Sequence, residues 1–176
     1  MPKKKIRVGI SSCLLGHHVR YDGEDKRDDI LIDAFDKYVE WVPICPEVEA
    51  GFSVPREAVH LRIPSSSPRI VTVSTGIDHT DQIVTQIKKI IHMLATQNIC
   101  GFIFKSKSPS CGVRKIPIYN ENGEHVKSSM GIFAQHCVKH LSLMPVADDV
   151  QLLGQNERKC FLDKMLRFSK DRLDLR

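Results

Sequence analysis

The sequence has no apolar run that approaches the ~18 residues of a membrane-spanning helix, no Cys-x-x-Cys pair and no His-Glu-x-x-His motif. The basic N-terminus, residues 1–5, is followed by only a short apolar run, which lacks the length of a signal-peptide core. These absences predict a cytoplasmic protein without a membrane segment. Its six cysteines are therefore expected to bind metal, do chemistry or fill the core rather than form disulfides.

The length and the net charge of the chain limit its number of domains and its possible partners. A length of 176 residues fits one domain that has its own hydrophobic core. The net charge is +5, from 26 basic and 21 acidic side chains. This excess is compatible with an anionic partner such as RNA, and equally with an ordinary solvated basic face.

Short apolar runs alternate with amphipathic segments along the chain. Strands are predicted at 5–12, 41–44, 69–74, 100–104, 116–119 and 143–146, and helices at 30–39, 81–97, 130–140 and 156–168. The proline-rich stretch 46–69, with its serine run, is predicted to be mostly loop. The alternation predicts an α/β fold, a single compact Rossmann-like domain with a mostly parallel sheet and helices on both faces.

Three cysteines follow three of the predicted strands. Cys13 comes directly after the first strand, Cys45 directly after the second, and Cys111 lies in the loop after the fourth. Ligands of an open parallel sheet bind outside the carboxyl ends of the strands, so the three thiols are expected to converge. The other cysteines, Cys100, Cys137 and Cys160, lie in a predicted strand or helix and are expected to be buried core residues.

Three converging thiolates suit two kinds of metal site. One is zinc with an open position or a histidine ligand, for which His17 and His18 are the nearest candidates. The other is an iron–sulfur cluster in which one iron lacks a protein ligand. An open iron is a Lewis acid that accepts a substrate sulfur.

Polar side chains near these cysteines supply candidate chemistry. Glu47, two residues after Cys45, is placed to move a proton, and Ser108 and Ser110 flank the proline of the Cys111 loop. The serines also suit simple turn formation. Four cations are candidates for a phosphate or base edge, although each also fits a solvated surface: Arg20, Lys26, Arg27 and Arg56.

Three long segments resemble a known family. The segments "SSCLLGHHVRYDG" (11–23), "PICPEVEAGFSVPR" (43–56) and "GFIFKSKSPSCG" (101–112) are similar to those of the TudS-type thiouracil desulfidases, in the same order. With "GIFAQ" (131–135), the resemblance covers residues 5 to 147. It implies a desulfidase domain at 1–147, followed by a C-terminal helical extension at 148–176.

The resemblance also implies a cofactor and a set of site residues. The cofactor is an oxygen-sensitive 4Fe–4S cluster with one open iron, held by Cys13, Cys45 and Cys111. The implied catalytic residues are Glu47 and Ser108, with Ser110 the alternative for the serine. Residues expected to bind substrate are Ser12, Arg20, Arg56 and Ser110.

The substrate implied by the resemblance is a thiolated pyrimidine, whose sulfur is replaced by oxygen with release of sulfide. The motifs are most similar to those of the longer members, which carry a second C-terminal domain and act on 4-thiouridine in tRNA. The chain ends at Arg176, about where that domain begins in those members. A free base, a nucleotide and tRNA therefore all remain candidate partners.

We expect a mechanism in which the sulfur binds the open iron and water adds to the ring carbon. In this mechanism Glu47 moves the proton and Ser108 orients the base.

Two other functions remain possible. One rival is a non-catalytic RNA-binding module in which the metal is structural. Another is a redox or sulfur-carrier protein, which needs an exposed thiol of low pKa beside a resolving cysteine.

Overall fold

The computed structural model describes residues 5–63 and 67–174, with side chains up to residue 172. The predictions that fall on residues 1–4 and on the serines at 65 and 66 lie outside the described residues. In chain order the elements are β1 (Ile6–Ser11), a short 3-10 helix (Ser12–Leu15), α1 (Asp29–Phe35), β2 (Val39–Ile44), α2 (Pro46–Glu49), β3 (Val59–Arg62), β4 (Arg69–Thr72), α3 (Thr80–Thr96), β5 (Ile99–Phe104), β6 (Ile116–Tyr119), β7 (His125–Ser129), α4 (Ile132–His140), β8 (Val146–Asp148) and α5 (Gln155–Asp174).

The main sheet has the strand order β2-β1-β5-β8, and all its strand pairs are parallel. All six residues of β5 are buried, as expected for a strand that is covered on both faces. The predicted α/β class with a mostly parallel sheet is therefore confirmed. The chain passes from β1 to β2 on one side and reaches β5 on the other side, which makes β1 the point where the strand order reverses.

Helices cover the two faces of this sheet with separate apolar clusters. Phe102 and Phe104 of β5 pack in one cluster with α3 and α4, whose contributions include Ile87 and Phe133. Ile103, between them, packs in the other cluster with side chains of α1 and α5. The alternation along β5 follows the two-residue period of a strand. α5 lies in the predicted extension and buries Phe161 and Met165, while the domain boundary at 147 stays a prediction.

A second sheet, of order β4-β3-β6-β7, was not predicted from the sequence. β3 and α2 both lie in the stretch 46–69 that was predicted to be mostly loop, so that prediction was wrong in part. β3 pairs antiparallel with β4 and parallel with β6, and β7 adds an exposed edge. The predicted third strand therefore belongs to this second sheet rather than to the main one.

Several predicted boundaries also differ from the structure, two of them markedly. The helix predicted at 30–39 is α1, which begins one residue earlier because the Asp28 carboxylate accepts the Leu31 N–H at 2.9 Å. It ends at Phe35, because Val39 begins β2. The strand predicted at 143–146 shares only Val146 with β8, and Leu143 is 82% exposed. Across the described part of the chain, no helix has the length and apolarity that spanning a membrane requires.

Candidate active site

The three predicted cysteines follow neighbouring strands of the main sheet. Cys13 lies in the 3-10 helix after β1, Cys45 stands at the N-terminus of α2 after β2, and Cys111 lies in the loop after β5. All three line one cavity of about 510 Å³. The cavity sits at the carboxyl ends of the strands where the strand order reverses, which is the usual ligand site of an open α/β sheet.

The segment around Cys13 is a tight turn that is tied to the loop behind it. Gly16, with φ of 91°, ends the 3-10 helix and donates its N–H to the Cys13 carbonyl at 3.2 Å. The Lys26 N–H donates to the same carbonyl at 2.9 Å. Because the left-handed conformation at Gly16 disfavours a side chain, glycine allows the chain to turn away directly after the cysteine.

Two sets of hydrogen bonds, one within the loop and one from α4, hold the loop that carries Cys111. The Ser108 hydroxyl oxygen accepts the N–H groups of Ser110 at 3.2 Å and Cys111 at 3.0 Å. The carbonyl groups of the loop are bound by the first turn of α4. The donors are the N–H groups of Gly131, Ile132 and Phe133, and the acceptors are the carbonyl oxygens of Gly112, Pro109 and Ser110, at 2.7, 3.0 and 2.9 Å. The N–H groups that a helix start leaves unpaired thus position Cys111.

Burial raises the pKa of all three thiols, and nearby negative groups add to the effect. Burial raises the pKa of Cys13 to about 11, with a further contribution from Cys45. Burial raises the pKa of Cys45, and it raises that of Cys111 well above its ordinary value, where Cys45 and Cys13 add to the effect. A reactive redox cysteine requires the opposite shift, so this arrangement disfavours the redox or sulfur-carrier reading. A bound metal supplies the positive charge that three thiolates need.

The described residues around the cavity suit a cluster more than a single ion. Among the described residues, no three histidine, cysteine or acidic side chains converge as the ligands of one metal ion do. The histidines considered as a fourth zinc ligand, His17 and His18, are exposed and do not line the cavity. Three thiols that line one cavity without forming a single-ion site fit a group with several metal atoms, each bound by one cysteine.

Glu47 is a buried carboxylate on the wall of the same cavity. Its Oε1 atom accepts a hydrogen bond from the Ser110 hydroxyl at 2.7 Å. Its Oε2 atom accepts from Arg56 Nε at 2.9 Å and from Arg56 Nη2 at 2.5 Å. Glu47 as a whole is 8% exposed, so these charge-assisted hydrogen bonds are shielded from bulk water.

A sequence model of one family, described as 2-thiouracil desulfurase, matches residues 8–149. The chain belongs to this family. The family resemblance expected from the three motifs is therefore confirmed.

Two similar proteins extend this result. The uncharacterised protein YbbK of Bacillus subtilis (strain 168) is 32% identical over 109 residues, which cover 58% of this chain and 71% of that protein. A solved structure of the [4Fe-4S]-dependent thiouracil desulfidase TudS superposes with a TM-score of 0.68 at 30% identity. The match covers 84% of this chain and 93% of that one.

The structure separates the two candidate serines of this family member. Ser108 lines the cavity, and the hydrogen of its hydroxyl has no acceptor among the described residues. Ser110 has no exposed surface, does not line the cavity and donates to Glu47. Ser108 is therefore placed to touch a ligand, whereas Ser110 is placed to hold Glu47.

The remaining predicted residues are divided between the cavity and the surface. Ser12, Arg20 and Lys26 line the cavity, and Arg20 is held by Asp22 through hydrogen bonds of 2.9 and 3.2 Å. Arg27 does not line it, because its guanidinium binds Asp29 and a backbone carbonyl.

The other three cysteines differ from one another in burial. Cys100 and Cys137 are buried as predicted. Cys160 is exposed, so its prediction as a core residue was wrong. It lies on α5, whose polar sequence leaves that position at the surface.

A further contact at the cavity was missed by sequence reasoning. The Asp149 carboxylate accepts hydrogen bonds from the Lys105 ammonium at 2.6 Å and from the Ser106 N–H at 2.6 Å. The Lys105 N–H in turn donates to the Ser11 hydroxyl at 2.9 Å. Lys105, Ser106 and Ser11 all line the cavity. No local pattern marked Asp149, which follows β8 and meets these residues only in the folded chain.

Proposed function

We propose that the protein is a 4Fe–4S-dependent desulfidase that replaces the thiocarbonyl sulfur of a thiolated pyrimidine by oxygen. The candidate substrates are thiouracil and 4-thiouridine, as the free base, as the nucleotide or within tRNA. The observation that carries the proposal is the convergence of three cysteines and one buried carboxylate on a single cavity. Membership of the 2-thiouracil desulfurase family supports the same chemistry.

Cys13, Cys45 and Cys111 would hold the cluster, which leaves a fourth position without a protein ligand. The described residues fit this role, because three thiols line the cavity and neither His17 nor His18 reaches it. When bound, the cluster supplies a Lewis-acidic iron that prefers sulfur to oxygen. No redox change is required, because the overall reaction exchanges thiocarbonyl and water for carbonyl and hydrogen sulfide.

The side chains of the cavity account for the orientation of the base and for the proton transfers. The Ser108 hydroxyl, with a free hydrogen, donates to a polar atom of the ring. Water adds to the ring carbon that bears the sulfur and gives a proton to Glu47, which passes it to the ring nitrogen or the departing sulfide. Ser110 does not touch the base and keeps Glu47 in place.

The decisive experiment is anaerobic reconstitution of the cluster, followed by measurement of bound iron and of sulfide release. The wild type is expected to release sulfide from at least one of 4-thiouracil, 4-thiouridine monophosphate and thiolated tRNA. Cys45→Ser should lose the cluster absorbance and all desulfidation, whereas Cys160→Ser, at an exposed cysteine outside the cavity, should keep both. Glu47→Gln should keep the cluster and lose turnover.

Two outcomes would count against this proposal. A Cys45→Ser variant with full activity would rule out the three-cysteine site. A loaded cluster with no sulfide release from any of the three substrates would favour the non-catalytic RNA-binding module.

A further inference from the structure

We propose that Arg56 is a positioning residue that fixes the Glu47 carboxylate, and that it is not a ligand of the substrate. The sequence had suggested Arg56 as a contact for a phosphate or a base edge. The inference rests on the proposed function insofar as Glu47 moves the proton. The contact between Arg56 and Glu47, however, can also be tested by unfolding measurements that do not depend on activity.

The guanidinium of Arg56 is already occupied by protein acceptors. Its Nε and Nη2 atoms donate to Glu47 Oε2, and its Nη1 atom donates to the carbonyl oxygens of Val19 at 3.0 Å and Ser53 at 3.2 Å. These contacts use four of the five N–H groups of an arginine. The Arg56 side chain is only 8% exposed, although it forms part of the cavity wall. A substrate anion would have to displace bonds that are shielded from water.

The two oxygens of Glu47 differ in their hydrogen bonds. Oε2 is taken by two donors from Arg56, whereas Oε1 has a single donor, the hydroxyl of Ser110. The carboxylate is thus held from two directions, and Oε1 is the atom with acceptor capacity left for a proton from the cavity. Arginine can hold the carboxylate in this way because its planar guanidinium donates two N–H groups to one oxygen and the others to backbone carbonyls.

The position of Arg56 also ties three segments of the site together. Val19 belongs to the loop that follows Cys13, Glu47 to α2, and Ser53 to the turn after α2. The same Val19 carbonyl lies 4.0 Å from the Sγ atom of Cys45. A lysine at position 56 has one donor atom on a flexible stem and cannot make these four contacts at once.

The test is a double-mutant cycle between Arg56 and Glu47, read by kinetics and by thermal unfolding. The proteins are the wild type, Arg56→Gln, Glu47→Gln and the double variant, each reconstituted anaerobically and assayed with 4-thiouracil and 4-thiouridine monophosphate. Arg56→Gln is expected to lower kcat per bound iron by ~10- to 100-fold on both substrates, with KM little changed. Because Glu47→Gln is expected to lose turnover, its background is compared by thermal unfolding, where Arg56→Gln should destabilise the protein less than it does in the wild type.

Two further variants complete the comparison, one a conservative replacement and the other a matched control. Arg56→Lys should recover part of kcat, and it carries the test if Arg56→Gln does not fold. Arg69→Gln is the matched control, since Arg69 also binds a carboxylate, at 2.7 Å to Asp78, but lies outside the cavity. It should keep kcat and iron content.

Each contrary outcome has a distinct meaning. A rise in KM confined to the nucleotide would show that Arg56 binds the phosphate and would overturn the proposal. So would a loss of bound iron with kcat per iron unchanged, or fully additive effects in the double variant. If the wild type releases no sulfide, the proposed function fails, while non-additive unfolding temperatures across the cycle still report whether Arg56 holds Glu47.

Discussion

Gly131→Ala is expected to displace the loop that carries Cys111. A methyl group on Gly131 would lie 2.6 Å from the carbonyl carbon and oxygen of Ser110 and 2.9 Å from the Cys111 nitrogen. Ordinary van der Waals contact begins at about 3.4 Å, so the loop and the start of α4 must separate by ~0.8 Å. The atoms that the methyl group meets are backbone, which has no rotamer through which to yield.

Such a shift has separate effects on stability and on function. Overpacking of this kind costs ~1–3 kcal/mol of unfolding free energy. A displacement of ~1 Å in a catalytic group costs ~100-fold in rate. Because the hydrogen bond from the Gly131 N–H to Gly112 also lengthens, Cys111 is expected to hold the proposed cluster less well, and iron per chain should fall.

The assay measures iron per chain, sulfide release and urea unfolding for Gly131→Ala beside Gly123→Ala. Gly123 has a φ of 80° in an exposed turn, and apart from its chain neighbours no atom of the described residues lies within 4 Å of the added methyl group, so alanine there costs ~1 kcal/mol through the backbone alone. The control should lose stability but keep iron and activity. If Gly131→Ala kept wild-type iron content and rate, the reasoning that α4 positions Cys111 would be wrong.

Three further results are expected. Ser108→Ala should lower kcat/KM by ~10-fold or more, because the loop loses an acceptor for two N–H groups and the cavity loses a donor; an unchanged kcat/KM would contradict its role. Phe133→Ala should cost ~3–5 kcal/mol in urea unfolding, since its ring is fully buried against two phenylalanines, whereas Leu143→Ala, at an 82% exposed site, should stay within ~0.5 kcal/mol. Hydrogen bonds from Thr75 and Ser74 lower the pKa of Glu57 below 4.5, so its stabilisation is present above about pH 4.5 and is lost as the pH falls through the lowered value. Glu57→Gln should flatten this acid limb of the unfolding curve, and a limb of unchanged steepness would exclude the contribution.

The main sheet was predictable because its signal is local. β1, β2 and β5 are short apolar runs, and the carboxyl-end rule for parallel sheets then places Cys13 and Cys45 at one edge. α3 was equally clear, since its apolar residues recur at helical spacing. These predictions required no knowledge of which residues touch across the fold.

The second sheet was not predictable by the same means. β3 is a four-residue strand in a proline-rich stretch; β4, its antiparallel partner, follows it closely, but β6, its parallel partner, is distant in sequence. β7 is an edge strand whose residues are almost all exposed, so it has no apolar alternation. Tertiary pairing, rather than local propensity, decides both strands.

At the candidate site, sequence reasoning found the residues but not all of their contacts. Glu47 was selected for its place beside Cys45, yet its partner Ser110 lies 63 positions away and was not separable from Ser108 by pattern. Arg56 was expected to be free for a ligand, whereas it is buried against Glu47. Partners of buried polar groups are set by the fold, and a single sequence does not specify them.

The arrangement of the site also fixes the order in which it can be assembled during synthesis. Cys13 and Cys45 reach neighbouring strand ends as soon as β1 and β2 pair, but Cys111 appears 66 residues later. Its loop is anchored only when the first turn of α4 has left the ribosome. With the ligation proposed above, an iron–sulfur donor would find a complete site only on a chain in which nearly the whole domain has been made and folded. An incomplete chain offers two thiols and no anchored third.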